Sequence, residues 1–270
     1  MRDQLPDVYS CNLYKYHRPF ENVIYWYEDR MTEDSTVSCY DSHSNDYDIY
    51  QSTVVPHYLE MLDMAAVTCS RYLGQNESRP RIIDLGCGTG NASTAILEKI
   101  PAKIFLIDGS SRMVNIASDK VSSRFPGAVA GHRVADLSGG NWDEGLRSEE
   151  YNAIVSTLVL EHLPLDKYRS VLGGCFRLLA PGGWMIAVEG YEEEGSDMIE
   201  WFNSQSSQKM GNLDPKMSGF VSQLREQKEV HYYTSKQQKE EWWRTAGFER
   251  VNVLWQYLCI ALMVGRKPKD

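Results

Sequence analysis

The sequence predicts an α/β protein: a doubly wound sheet of about seven strands, mostly parallel with an antiparallel last strand, and an N-terminal helical lid. Three observations predict it. From Arg81 onward, short apolar runs alternate with helical stretches at a pitch of roughly 25 residues, as parallel strands joined by right-handed crossovers do. The first apolar run ends in a glycine-rich turn, Gly86-Cys87-Gly88-Thr89-Gly90, between strand and helix. The length, 270 residues, suits one large domain with attachments better than two full-size domains.

Residues 1–74 read as a lid and its anchoring helix. The first sixty residues hold nine of the sixteen tyrosines, and eleven acids against four bases, which is most of the net charge of −9. No strand alternation shows there, so residues 1–50 are expected to act as a cover. Apolar spacing over Val54–Leu73, with Pro56 near the start, predicts the anchor. Residues 75–190 form the core. Its strands are expected at Arg81–Leu85, Ala102–Ile107, Ala128–Val134, Tyr151–Ser156 and Trp184–Glu189. Its helices are expected at Asn91–Lys99, Ser111–Ser123 and Leu165–Leu179. Residues 191–234 break the rhythm, with Trp201, Phe202, Met210, Met217 and Phe220 among polar neighbours, and read as an inserted substrate-covering segment. Residues 235–270 return to the core: a helix over Ser235–Ala246, stopped by Gly247, then strands near 251–255 and 258–264 that are most simply antiparallel.

Composition removes several classes. With 42% hydrophobic and 24% charged residues the chain is globular rather than disordered. A net negative chain lacks the basic face that displaces phosphate counterions, so nucleic acid is not the expected partner. No run approaches ~18 apolar residues and none follows Arg2, so neither a membrane span nor a signal peptide is expected. Cys11, Cys39, Cys69, Cys87, Cys175 and Cys259 are scattered without a Cys-x-x-Cys pair, which points to reduced thiols in a cytoplasmic protein and to no metal site.

The glycine loop is the first chemical signal. A dinucleotide fingerprint has a third glycine for helix packing where this chain has Asn91. Asp84, two residues before Gly86, would repel a diphosphate but attract an ammonium or sulfonium. Asp108 ends the second strand, twenty-two residues after Gly86, where a carboxylate can accept from both hydroxyls of a ribose. Asp136 follows the third strand and could accept from an adenine amino group.

These pieces resemble the class I S-adenosylmethionine-dependent methyltransferases, whose core is Rossmann-like. The matching segments are Ile82–Gly90, Ile107–Met113, Ala135–Leu137, Ser156–Leu163 and Leu178–Gly183, in the family's order and spacing. The resemblance implies S-adenosyl-L-methionine as cofactor. It implies a site of Asp84, Gly86, Cys87, Gly88, Asp108, Gly109, Met113, Asp136, Leu137, Thr157 and Leu158. Gly86 and Gly88 would line its methionine part, and Asp108 would hold the ribose. Met113 would pack on the adenine, Asp136 and Leu137 would read its edge, and Thr157 and Leu158 would lie near the sulfonium. Residues 1–50 match no pattern of the family.

Glu161 and His162 are the candidate acid–base pair. The plainer reading, that they satisfy free N–H groups where a helix starts, is favoured beside it. Met113 reads equally as core filler, and Cys87 lacks a nearby base and is not read as a nucleophile. Trp242 and Trp243 read as packing. The acidic, aromatic cover suits a small-molecule methyl acceptor, methylated at nitrogen or oxygen. Two rivals remain: a tRNA wobble-uridine type of RNA methyltransferase and a non-methylating protein that only binds the cofactor. Homodimerisation through the N-terminal segment also stays open.

Overall fold

The computed structural model describes residues 47–74, 79–192, 196–211 and 231–269. Most of the expected lid and part of the insertion lie outside the described residues. Two helices lead in, α1 (Tyr47–Val54) and α2 (Tyr58–Leu73). The expected single anchor is therefore broken at residues 55–57, where Pro56 precedes His57 in a left-handed conformation (φ 58°). The core follows as β1 (Arg81–Leu85), α3 (Asn91–Lys99), β2 (Lys103–Asp108), α4 (Ser111–Arg124), β3 (Val129–Val134), β4 (Tyr151–Thr157), α5 (Leu165–Leu178) and β5 (Leu179–Gly190). The insertion carries α6 (Ser196–Gly211), and the chain returns through α7 (Lys236–Thr245), β6 (Glu249–Tyr257) and β7 (Ile260–Arg266).

These strands form one seven-stranded sheet in the order β3-β2-β1-β4-β5-β7-β6. β1 to β5 are parallel, and β7 runs antiparallel to both of its neighbours. The main difference from expectation is β5, which begins at Leu179 rather than Trp184: Leu179 already pairs with Tyr151, and pairing resumes at Trp184 opposite Ala153 after an irregularity that takes up Ala180–Gly183.

Each central strand is buried on both faces, so its apolar residues run nearly unbroken. Alternation still assigns them. Ile82, Ala153, Val155, Ile186 and Leu262 point to the face covered by α2, α3 and α4. Ile83, Ile154, Met185 and Met263 point to the face covered by α5 and α7. On the first face Met61, Ala65, Ala66 and Cys69 of α2 lie at helical spacing and are fully buried. On the second, Val171, Leu172, Cys175 and Leu178 of α5 pack beside Trp243 and Phe248. Among the described residues no helix is long and apolar enough to cross a membrane.

Strand order reverses between β1 and β4. In such sheets the crevice outside the carboxyl ends of the two strands flanking the reversal is the place left open for a ligand.

Candidate cofactor site

Four loops meet at that crevice. The loop after β1 is tied to β2: the N–H groups of Gly86 and Cys87 both donate to the Ile107 carbonyl, at 2.8 and 2.9 Å. Gly88 N–H donates to Asp108 Oδ2 at 2.9 Å, and Ser110 N–H to Asp108 Oδ1 at 2.9 Å. Each carboxylate oxygen thus holds a backbone donor. Burial raises the Asp108 pKa above the usual carboxylate range, and the N–H groups of Ser110, Gly88 and Gly109 oppose that shift. Two carboxylate oxygens, fixed by backbone donors at the end of a strand, fit the paired hydroxyls of the ribose expected there.

Asp84 is fully buried. Its Oδ2 accepts from Ser93 N–H at 3.2 Å and Ser93 Oγ at 2.5 Å, while Oδ1 has no hydrogen-bond partner. Burial pushes its pKa up to about 6, Ser93 lowers it, and the charge of Asp108 raises it further. An unsatisfied buried carboxylate oxygen is a receptive point for a cation, which fits the ammonium end of the expected cofactor. Cys87 is buried, and its thiol pKa is raised well above normal by that burial, which keeps it protonated.

Ala135 N–H donates to the Asp108 carbonyl at 2.9 Å, so Asp136 stands one residue from the same strand end. Its oxygens accept from Ser138 N–H (2.9 Å) and Ser138 Oγ (2.8 Å) and cap a short 3₁₀ turn, Leu137–Gly139, in which Leu137 is buried. Met113 is buried in the first turn of α4, where its N–H is capped by Ser110 Oγ at 3.1 Å. Thr157 ends β4, and Leu158 follows with φ 57°, a left-handed conformation unusual for leucine, while its N–H donates to Val188 O at 2.7 Å. That turn sets Val159 directly against Gly86.

Glu161 and His162 lie in a 3₁₀ turn, Leu160–His162, ahead of α5. Neither caps α5, whose N-cap residue is Pro164, so the helix-start reading is corrected. Glu161 is buried instead: Oε1 faces Gly190 N–H at 3.4 Å and Oε2 has no hydrogen-bond partner. Burial raises its pKa to about 7, with the neighbouring His162 lowering and Glu189 raising it. Beside it Glu189 Oε2 and Lys239 Nζ form a fully buried ion pair at 2.5 Å. Tyr168 OH donates to Glu189 Oε1 at 2.9 Å, and Trp243 Nε1 donates to Tyr168 OH at 2.9 Å. Trp243 therefore does more than fill space. His162 is partly exposed, and its ring lies 4.3 Å from that of His231, which in turn lies 5.2 Å from Tyr233.

Sequence reading missed a clasp on the outer side of the glycine loop. Asp48 of α1 accepts through Oδ1 from Thr89 Oγ1 and from Asn91 Nδ2 (2.8 Å), and through Oδ2 from Lys120 Nζ (2.8 Å). Lys120 also reaches Asn91 Oδ1 at 2.9 Å, and Asn91 reaches Tyr58 OH at 3.1 Å. Burial alone would raise the Asp48 pKa, but the donors Lys120, Thr89 and Asn91 outweigh it and the net shift is downward. Asn91 thus takes up a polar role where a dinucleotide fingerprint has its third glycine. Spacing could not pair Asp48 with Lys120, seventy-two residues away. Among the described residues no group of three or more His, Cys, Asp or Glu side chains could hold a metal ion.

A family model described as a methyltransferase domain matches residues 60–253. An uncharacterized methyltransferase of Emericella nidulans is 33% identical over 127 residues, 43% of this chain and 43% of that protein, so the match spans less than half of either. A carboxy-S-adenosyl-L-methionine synthase of Chromohalobacter salexigens is 28% identical over 223 residues, 79% of this chain and 77% of that one. The Burkholderia thailandensis 1,6-didemethyltoxoflavin-N1-methyltransferase, solved with 1,6-didemethyltoxoflavin and S-adenosylhomocysteine, has the same fold at TM-score 0.60 and 14% identity, covering 90% of this chain and 93% of that one. So does the Haemonchus contortus phosphoethanolamine N-methyltransferase 2 in complex with S-adenosyl-L-methionine, at TM-score 0.58 and 14% identity, covering 84% of this chain and 57% of that one. With the family model running from within α2 to within β6, and with Asp108 and the glycine loop joined at the strand reversal, the chain belongs to the class I S-adenosylmethionine-dependent methyltransferases.

Proposed function

We propose that this chain transfers the methyl group of S-adenosylmethionine to a nitrogen or oxygen of a small organic molecule. The observation that carries this reading is the surround of the β4 and β5 carboxyl ends, where the rings of His162, His231 and Tyr233 stand next to one another beside a buried acid, Glu161. Ring walls with a carboxyl beside them suit a flat or cationic small acceptor better than a phosphate-bearing polymer.

When bound, S-adenosylmethionine supplies a methyl group on a positively charged sulfur that departs neutral, so no oxyanion has to be stabilised. What remains for the protein is alignment and dryness. Asp108 and the loop of Gly86 and Gly88 fix the position of the nucleoside end. The 231–233 segment, with Tyr232 N–H on the Glu161 carbonyl at 2.6 Å, walls the acceptor side. His162 takes the proton of a hydroxyl or ammonium acceptor, and Glu161, out of solvent, holds the turn that carries it.

The test is release of S-adenosylhomocysteine with a panel of amines and phenols, using the full chain and a His162→Asn variant. Turnover on members of the panel, with kcat lowered about tenfold or more in the variant and KM little changed, is the expected result. Turnover only on RNA or protein would overturn the small-molecule assignment.

A second reading is favoured by one finding: a relative that aligns along most of both chains is a carboxy-S-adenosyl-L-methionine synthase. In that reading the cofactor itself is modified and no methyl leaves it. Mass spectrometry of the cofactor after incubation with cell extract separates the two: a carboxylated nucleoside supports the second reading, S-adenosylhomocysteine the first.

A further inference from the structure

We propose that the opposite pole of the sheet carries a second binding site, a cleft of about 650 Å³ that takes the di- or triphosphate group of a small molecule. Its walls come from the end of α2 (Arg71, Tyr72), the start of β5 (Gly182, Trp184), and Arg250, Arg266 and Lys269. All of these lie at the amino ends of β4, β5 and β6 or at the far end of the antiparallel β7. The seven residues of β4 alone put roughly 23 Å between this pole and the glycine loop. The proposal is therefore independent of the methyltransferase reading.

Charge is the first ground. Four cations line the cleft and no acid does, in a chain of net charge −9. Arg266 has a long contact with Glu249, 3.6 Å, and donates through Nε to Gly182 O at 3.3 Å. Arg71, Arg250 and Lys269 form no ion pair or side-chain hydrogen bond with any described residue. Like charges gathered without an acid between them repel, and a multivalent anion relieves that repulsion.

Geometry is the second. Gly182 N–H donates to the carbonyls of Lys267 and Pro268, both at 3.0 Å, and Lys267 N–H donates to Gly183 O at 2.8 Å, which pins the segment after β7. A Cβ placed on Gly182 would lie 3.1 Å from Lys269 Cγ and 3.2 Å from Arg266 Nη2, so the two cationic side chains converge on one spot. Arg266 also lies over the ring of Trp184 at 5.8 Å, and Trp184 is stacked on Tyr72 at 3.8 Å with the rings 6° apart. Arg266, held in place before binding, loses little freedom on binding.

The third ground is Arg250. Pairing of β6 with β7 slips between Glu249 and Asn252, and Arg250 within the slip has φ 52°, a conformation its side chain disfavours. Such bulges re-aim side chains, and here the re-aimed side chain is a guanidinium lining the cleft. Guanidinium forks and an ammonium match phosphate oxygens, and four positive charges match a di- or triphosphate better than a single carboxylate.

Calorimetry of the full chain at low ionic strength, titrated with inorganic pyrophosphate and separately with ATP, tests this. A saturable one-to-one signal is expected, weakened about tenfold or more in an Arg250→Gly/Lys269→Ala double variant. Glycine suits the left-handed backbone at position 250, so the variant is expected to fold, and an unchanged affinity for S-adenosylhomocysteine verifies it. Arg169→Ala, removing an exposed cation of α5, is expected to bind as the parent does. Equal affinities assign the site to phosphate alone, and tighter ATP binding assigns it to a nucleotide. No saturable signal with either probe, no loss in the double variant, or an equal loss in Arg169→Ala overturns the proposal.

Discussion

Gly86 is needed for two separate reasons. Its φ of 74° belongs to the left-handed region, and a Cβ there would overlap both methyl groups of Val159. The loop after β1 and the turn after β4 can close on one another only across a residue without a side chain. Gly86→Ala is expected to destabilise the fold by about 2–4 kcal/mol in urea unfolding, from backbone strain and overpacking together. In a Val159→Ala background the steric part disappears and about 1–2 kcal/mol remains. The sequence identified Gly86 as a ligand contact, because a glycine-rich turn after a strand is a local pattern. It could not identify Val159 as the reason, because that contact joins residues seventy-three positions apart.

At the scale of elements, α1 is fastened to the glycine loop by one carboxylate. Asp48 collects donors from the loop itself (Thr89), from α3 (Asn91) and from α4 (Lys120), and Tyr47 lies over Gly88 with Cε1 3.6 Å from where a Cβ would stand. Asp48→Ala is expected to weaken S-adenosylhomocysteine binding about fivefold or more, measured by calorimetry, with Asp48→Asn retaining part of the affinity. Because the Asp48 pKa is depressed, the clasp holds above the usual carboxylate range and loosens as pH falls through its folded value. The affinity of the parent should therefore fall in acid and that of Asp48→Ala should fall less. Periodicity revealed α2 through its buried stripe. It gave no sign of α1, which is short and mostly polar and whose placement depends on Asp48 rather than on an apolar face.

Across the whole molecule the sheet was legible because its strands are buried on both sides. Apolar runs such as Ile82-Ile83 and Ile186-Ala187-Val188 leave no other reading once helices intervene. The partners of buried polar groups were not legible, since Glu189 and Lys239 meet only after α7 folds back on β5. Glu161 belongs to the same hidden class, and it has a global signature. Its folded pKa of about 7 lies above the unfolded value, so between about pH 4.5 and 7 the folded state keeps a proton that the unfolded state has lost. Stability from this group therefore falls as pH rises through that window and is level above it. Replacing Glu161 by Gln removes the effect. The stability difference between variant and parent, read from urea unfolding, is expected to shift in favour of the variant by about 2–3 kcal/mol from pH 4.5 to pH 8. Asp84, raised in the same direction, is present in both proteins and cancels.

The position of β7 between β5 and β6 also dictates an order of events during synthesis. β6 leaves the ribosome before β7, yet its neighbour in the sheet is β7, so β6 must wait unzipped until the later strand slides in beside β5. Until then β5 presents a bare apolar margin to solvent or to a chaperone. A nascent chain arrested before residue 260 is thus expected to be sticky, however complete its nucleoside-binding half already is.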